Sequence, residues 1–318
     1  MNTPALDTSL DLAAVKNSSG RRRFLQTAGV MVGVGALSAC TSGTTGTTTG
    51  AAAATGGGVV SAADSLLGRV TKAKKIKFGV DLTFPPLQFK DPKNGNKPAG
   101  YIIDLANMMA KDLGATPEFV EVPFAQLFAA QAAGKFDMSG IAATILPSRA
   151  EKVLFSSEPA FIESEVILLK PGLKISKVSD LNSSDVTIAV LVGSSQEASA
   201  PLLFPKAKMK SLDNQAAIQD VASGRSSATL LSEFNIKEAL AQHPGITVFN
   251  GPPVFVDVNT FFMPAGDLVM QGWVDNWLRY QISHGVLAGL WNKYVGDAAR
   301  AAGLPTVAVK SPYAQSSS

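Results

Sequence analysis

Residues 135–159 read KFDMSGIAATILPSRAEKVLFSSEP, and the organisation of the chain turns on them. An apolar run from Met138 to Ile145 passes through Ala142, Ala143 and Thr144 and reaches Arg149 just beyond Pro147. That order sets free backbone N–H groups, a hydroxyl and a guanidinium close together. These are the parts of a carboxylate clamp, because the planar fork of arginine matches a carboxylate through two parallel hydrogen bonds. A buried strand ending in a turn, with Arg149 simply solvated, fits the same residues. The flanking sequence has to decide between the two.

Upstream, a helix is predicted over 61–74 and a strand over 75–80, where KIKFGV alternates apolar and polar residues. The strand runs into Asp81-Leu82-Thr83-Phe84-Pro85-Pro86, where two prolines end regular structure. Asp81 and Phe84 are therefore placed on a loop at the carboxyl end of a strand, where open α/β sheets bind ligands. A polar turn over 91–100 leads to a helix over 104–113, stopped by Gly114. A strand over 118–122, a helix over 124–133 and a strand over 136–145 follow. This alternation predicts a mostly parallel sheet with helices on its faces.

Downstream, residues 161–169 form a long apolar strand that leaves this unit. After Pro171-Gly172 a second, similar unit begins, with strands over 187–192, 208–212 and 228–231 and helices after Ser195 and over 214–223. Pro201 predicts that the helix after Ser195 is short or interrupted. A second long strand over 255–262 leads back to a helical C-terminal segment over 272–284 and 286–294. Its Trp273, Trp277 and Trp291 recur at near-helical spacing and read as core. Two lobes joined by two crossing strands follow, and the residues after Val309 read as a loose tail.

The 318 residues and 46% hydrophobic content suffice for ordinary cores. The net charge of +3 includes Lys16, Arg21, Arg22 and Arg23 against Asp7 and Asp11; subtracting these four basic and two acidic residues leaves +1. No clustered basic surface for nucleic acid remains. His243 and His284 stand far apart without a second ligand at metal spacing, so neither a metal site nor a cofactor is expected. A single cysteine excludes an intrachain disulfide.

Gly20-Arg21-Arg22-Arg23-Phe24-Leu25-Gln26 resembles the twin-arginine export motif. The glycine-rich apolar run from Ala28 to Leu37 is too short to span a bilayer and suits a signal h-region. It ends in Leu37-Ser38-Ala39-Cys40, which resembles the lipobox of bacterial lipoproteins, in which the cysteine is lipidated and becomes the new N-terminus. The stretch 41–60 begins with a Thr, Ser, Gly and Ala run that buries too little apolar area to order itself, and reads as a flexible tether. An exported protein, held to a membrane by lipid on Cys40 and cleaved before it, is the expectation.

The motifs GVDLTFPPLQF, GYIIDLANMMAKDLGA, PFAQLFAAQAAGKFD, TILPSRAEKVLFSSEP, VLVGSSQEA and DNQAAIQDVASGR occur in this order between about residues 75 and 294. Together they resemble the extracellular solute-binding proteins, family 3, of ABC transporters for polar amino acids. The resemblance implies an α/β, two-lobed type II periplasmic binding protein with its ligand cleft between the lobes. Lobe 1 would comprise 61–165 plus 260–318 and lobe 2 would comprise 166–259. It implies no enzymatic step. The protein would act as a monomer that binds a small carboxylate-bearing solute, an amino acid above all, and presents it to a membrane permease.

Residue by residue, the resemblance implies that Arg149 pairs with the ligand carboxylate, aided by the Thr144 hydroxyl and the backbone from Ala142. Phe84 and Phe124 would sandwich the ligand's apolar part. Asp81 would face its distal end, and Ser195, at a helix N-terminus, would add donors from lobe 2. One departure matters. Where the family places an aspartate for the ligand's α-ammonium, this chain has Ser232 followed by Glu233. Either Glu233 substitutes, or the ligand lacks an α-amino group. A periplasmic cyclohexadienyl dehydratase, an enzyme on the same scaffold, is the competing expectation; the position of its catalytic glutamate is Asn235 here.

Overall fold

The computed structural model describes residues 61–296. The twin-arginine stretch, Cys40, the 41–60 tether and the tail after Val309 lie outside the described residues.

The first sheet has three parallel strands in the order Thr116–Glu121, Lys75–Val80, Met138–Ser139. Lys75–Val80 lies in the middle and buries Ile76, Phe78 and Val80 completely. The first helix, Leu66–Ala73, is shorter than the predicted 61–74, because Ser65 accepts from the Gly68 N–H and caps it. It is tied to the last long helix, Leu268–Ser283, by Asp267. One Asp267 oxygen accepts from the Leu66 N–H at 2.6 Å and the other from the Met270 N–H at 2.9 Å. Trp291 and Trp277 are buried in this core, with Tyr101 packed edge-on against Trp291 at 5.2 Å between ring centroids.

The second sheet has seven strands. Lys208–Leu212, Thr187–Leu191 and Ala228–Ser232 run parallel, and the crossing strands Phe161–Leu169 and Phe255–Thr260 continue the sheet antiparallel. The crossing strands are therefore hydrogen-bonded to each other, Phe161–Leu169 also to Ala228–Ser232 and Phe255–Thr260 also to Ala143–Thr144. The helix Ser195–Leu203 runs through Pro201 and ends at Phe204, so the proline does not interrupt it.

The predicted strand over 136–145 is two short strands. Met138–Ser139 pairs with Lys75–Val80 in the first sheet, while Ala143–Thr144 pairs with Asn259 and Thr260 in the second. The chain changes sheets within four residues. Gly140 makes this possible: its N–H donates to the Gly79 carbonyl at 2.7 Å, and a Cβ there would lie 2.7 Å from the Cβ of Phe78. The bend carries Ala142, Ala143 and Thr144 to the place where the lobes meet.

Candidate functional site

Between the two sheets lies a cavity of about 400 Å³. The carboxyl end of Lys75–Val80, the Phe124–Gln126 turn, the sheet-changing segment, the crossing strands and the N-terminus of the Ser195–Leu203 helix all reach it. Seven of the nine residues expected to contact ligand line it: Asp81, Phe84, Phe124, Ala142, Thr144, Arg149 and Ser195.

Arg149 sits on the short helix Pro147–Ala150, started by Pro147 at a position where a missing N–H costs nothing. The side chain is 5% exposed and lies over the ring of Phe128, 4.6 Å from its centroid, and over that of Phe124 at 5.4 Å. One Nη donates to the Thr144 carbonyl and the other to the Gly193 carbonyl of the second lobe, each at 2.7 Å. A guanidinium has five N–H groups, so three remain for a ligand. Burial lowers the pKa of Arg149 to about 10, opposed by nearby Asp257 and Glu163, so the group is charged at neutral pH.

Asp81 lines the cavity but its carboxylate is already engaged. One oxygen accepts from the backbone N–H and hydroxyl of Thr83, and the other accepts from the Phe124 N–H at 2.7 Å. It therefore holds Phe124 to the loop that carries Phe84.

The structure places Ser232 and Glu233 elsewhere than the sequence reading did: neither lines the cavity. Ser232 is paired in the ladder beside Glu165 of the crossing strand and is buried. Its hydroxyl instead donates to Glu163 Oε2 at 2.7 Å, and it is Glu163 that faces the cavity. Glu233 Oε1 accepts from the Ser164 N–H at 3.1 Å. Asn235 is also buried outside the cavity lining.

Sequence reasoning missed the crossing strands as a source of polar groups. Glu163, Glu165 and Asp257 are all buried, and one oxygen of each lies within 4.8 Å of the others. Asp257 accepts from the hydroxyls of Ser195 and Thr144, and Glu163 accepts from the Asn259 amide at 2.9 Å. Burial pushes the Glu163 carboxyl up to about 7; the Ser232 and Asn259 hydrogen bonds hold it down, and the charges of Asp257 and Glu233 push it further up. Glu165 is raised well above the usual carboxylate range by burial, then by Glu163. The signal was present in FIESEVILL, where two acids two residues apart share one face of an otherwise apolar strand.

Two lobes, each with its own sheet, a cavity between them and two crossing strands define a type II periplasmic binding fold. The chain matches the bacterial extracellular solute-binding proteins, family 3, over residues 76–297, and it belongs to that family. Among solved structures it resembles the ancestral amino acid-binding protein AncCDT-1, a precursor of cyclohexadienyl dehydratase. The two are 32% identical with a TM-score of 0.64, over 72% of this chain and 99% of that one. The arginine-binding extracellular protein ArtP of Bacillus subtilis is 25% identical over 179 residues, 55% of this chain and 68% of ArtP. The membrane-bound lytic murein transglycosylase F of Maricaulis maris is 35% identical over 101 residues, 31% of this chain; the match spans only 22% of that enzyme. No helix among the described residues is long and apolar enough to cross a membrane.

Proposed function

We propose that this protein is the extracytoplasmic binding component of an ABC importer. It takes a small carboxylate-bearing solute, an α-amino acid foremost, into the cleft and presents it to a membrane permease without chemical change. The observation that carries this reading is Arg149, a buried, charged guanidinium lining the cavity between the lobes with three N–H groups unused. A carboxylate placed there would gain a buried, charge-assisted pair. Phe84 and Phe124 flank the cavity for the apolar part of the ligand, and Ser195 approaches from the second lobe. The resemblance to AncCDT-1 and to ArtP supports an amino acid as the ligand.

Lobe 1, comprising 61–165 plus 260–318, would hold most of these groups, and lobe 2, 166–259, would close on the ligand by a hinge at the crossing strands. Closure is driven only by the ligand's better contacts with the closed form. Export through the twin-arginine stretch, cleavage before Cys40 and lipid anchoring there would place a monomer at the membrane beside its permease. A thermal-shift screen of amino acids and organic acids tests the reading, since a ligand bound to the folded state alone raises the midpoint with its occupancy. No shift with any carboxylate would refute it.

A second reading, an enzyme resembling cyclohexadienyl dehydratase, is favoured by one observation: Glu163 faces the cavity with its carboxyl raised to about 7, which suits a general acid. Turnover of a cyclohexadienyl carboxylate to an aromatic product, followed by ultraviolet absorbance, would establish it.

A further inference from the structure

A further hollow lies along the helix Leu268–Ser283. It has a volume of about 490 Å³ and is lined by Asp112, Trp273, Asn276, Trp277, Tyr280 and Gln281, none of which lines the cavity between the lobes. Trp273, Asn276, Trp277, Tyr280 and Gln281 stand at positions i, i+3, i+4, i+7 and i+8 of that helix, so they share one face of it. Asp112 comes from the end of the helix Tyr101–Asp112.

The sequence pattern reads these tryptophans as core. Trp277 fits, at 7% exposure, but Trp273 is only half-buried and Tyr280 is 57% exposed. The two indoles are nearly parallel, 17° apart, with ring centroids at 6.4 Å. The Trp277 Nε1–H donates to Asp112 Oδ2 at 2.7 Å, which fixes that ring in place. The groove therefore has a rigid aromatic floor.

Gln281 gives the groove an unmet polar demand. It is 5% exposed and lines the groove, and among the described residues its carboxamide has no hydrogen-bond partner. A buried amide left unpaired is costly, so this one calls for a group that both accepts from its N–H and donates to its carbonyl. A hydroxyl does both. Nearby, Asn276 accepts from Arg279 at 3.3 Å through its amide oxygen, which leaves its N–H groups for a ligand oxygen. Asp112 has a second carboxylate oxygen beyond the one bonded to Trp277.

These groups select the occupant. Among the described lining residues there is no Lys, Arg or His, so an anionic ligand would find no countercharge. A cation would suit the rings but would meet the N–H donors of Asn276 and Gln281. An extended peptide would need main-chain partners, and those of this face are spent inside the helix. A pyranose brings a flat C–H face for an aromatic ring and, at its edge, hydroxyls that donate and accept at once. From Trp273 to Tyr280 the helix advances about 10 Å, seven residues at about 1.5 Å each, which is the length of two linked pyranose rings.

We propose that the groove of Trp273, Trp277, Tyr280 and Gln281 is a second binding site, separate from the cleft, which takes a neutral saccharide chain. Trp273 and Tyr280 receive the C–H faces of consecutive rings. Gln281 bonds a hydroxyl of the more deeply set ring, and Asp112 and Asn276 bond hydroxyls at the edge. The site does not depend on Arg149 or on the identity of the solute in the cleft.

The test is tryptophan fluorescence and calorimetry on the full chain with cellotriose, maltotriose and triacetylchitotriose, beside glucose and N-acetylglucosamine. Expected is a change in tryptophan emission with at least one trisaccharide, bound at least about 10-fold more tightly than its monomer because a second ring adds its own contacts. Trp273→Ala and Gln281→Leu should each weaken that binding by about 10-fold, the scale of one lost stacking or hydrogen-bonding partner. Neither change should alter the thermal shift that a carboxylate gives in the cleft. Should both variants fail to fold, Asn276→Ala, at an exposed position, carries the test and should weaken the trisaccharide several-fold. No binding of any trisaccharide at millimolar concentration, binding that the variants retain, or equal binding of trisaccharide and monomer overturns the proposal. Binding of choline chloride that Trp273→Ala removes overturns it in favour of a cation site. A concentration-dependent dimer in sedimentation that Trp273→Ala dissolves overturns it in favour of a second copy of the chain.

Discussion

Arg149 donates through one Nη to the carbonyl oxygen of Gly193, at 2.7 Å, from the first lobe to the second. The residue that faces the ligand cavity therefore also fastens the lobes together. In the proposed hinge closure, ligand capture and closure would be coupled through this side chain, because the guanidinium reaches Gly193 only with the second lobe drawn in.

Removing that side chain should do two things at once. Arg149→Ala is expected to cost about 2–5 kcal/mol of ligand affinity, the range for truncating one side of a buried charged pair. It should also leave the liganded protein more open, read as a larger radius of gyration by small-angle scattering. Unchanged affinity would remove Arg149 from the site.

Gly193 should tolerate no side chain. Its φ is +75°, a left-handed conformation that favours glycine, and a Cβ there would sit 3.1 Å from Ala125 Cα across the cleft. Gly193→Ala is expected to lose about 1 kcal/mol of stability from backbone strain and to weaken ligand binding further, by holding the lobes apart. Denaturant unfolding with and without ligand separates the two effects.

Asp81 should matter to stability before it matters to ligand. Asp81→Ala strands the backbone N–H groups of Thr83 and Phe124, each left without its acceptor. A loss of about 1 kcal/mol is expected, the lower end of the range for an unpaired donor because both sites are only partly buried. Urea melts of the empty protein measure it; a stability unchanged within error would show that water replaces the carboxylate.

The empty protein should weaken as pH rises. Burial lifts Glu163 and Glu233 to about 7, above the ordinary glutamate value of about 4.3 that they regain on unfolding. The native state then holds protons that the unfolded chain releases. Their contribution to stability is complete below about pH 4, falls as pH rises toward 7 and is lost above it. Thermal melts between pH 4 and 8 without ligand test this, and Glu163→Gln should flatten the dependence.

Cys40 carries the prediction about location. Cys40→Ala should release the exported protein from membranes into the soluble fraction, since Cys40 is the sole cysteine of the sequence. Membrane attachment of the processed variant would refute the lipobox reading.

The sequence by itself determined the elements and their order. KIKFGV is a strand because its residues alternate, and its bounds Lys75–Val80 match the prediction. The order Thr144, Pro147, Arg149 is likewise plain in the sequence, although the short helix Pro147–Ala150 that carries Arg149 is not predicted from it. Those signals are local, so they can be read from neighbouring residues. Only the tertiary structure decided that residues 136–145 divide between two sheets at Gly140, since the bend depends on contact with Phe78, about sixty residues earlier. It also decided that Glu163 rather than Ser232 faces the cavity. The family pattern counts positions along one strand, whereas exposure to the cleft depends on what packs around that strand's end. Ser232 is buried beside Glu165 outside the cavity lining, and its hydroxyl reaches the lining only through Glu163. Acids separated by some ninety residues, Glu163 and Asp257, become one group because antiparallel pairing sets them opposite each other, and no periodicity within either strand encodes that register.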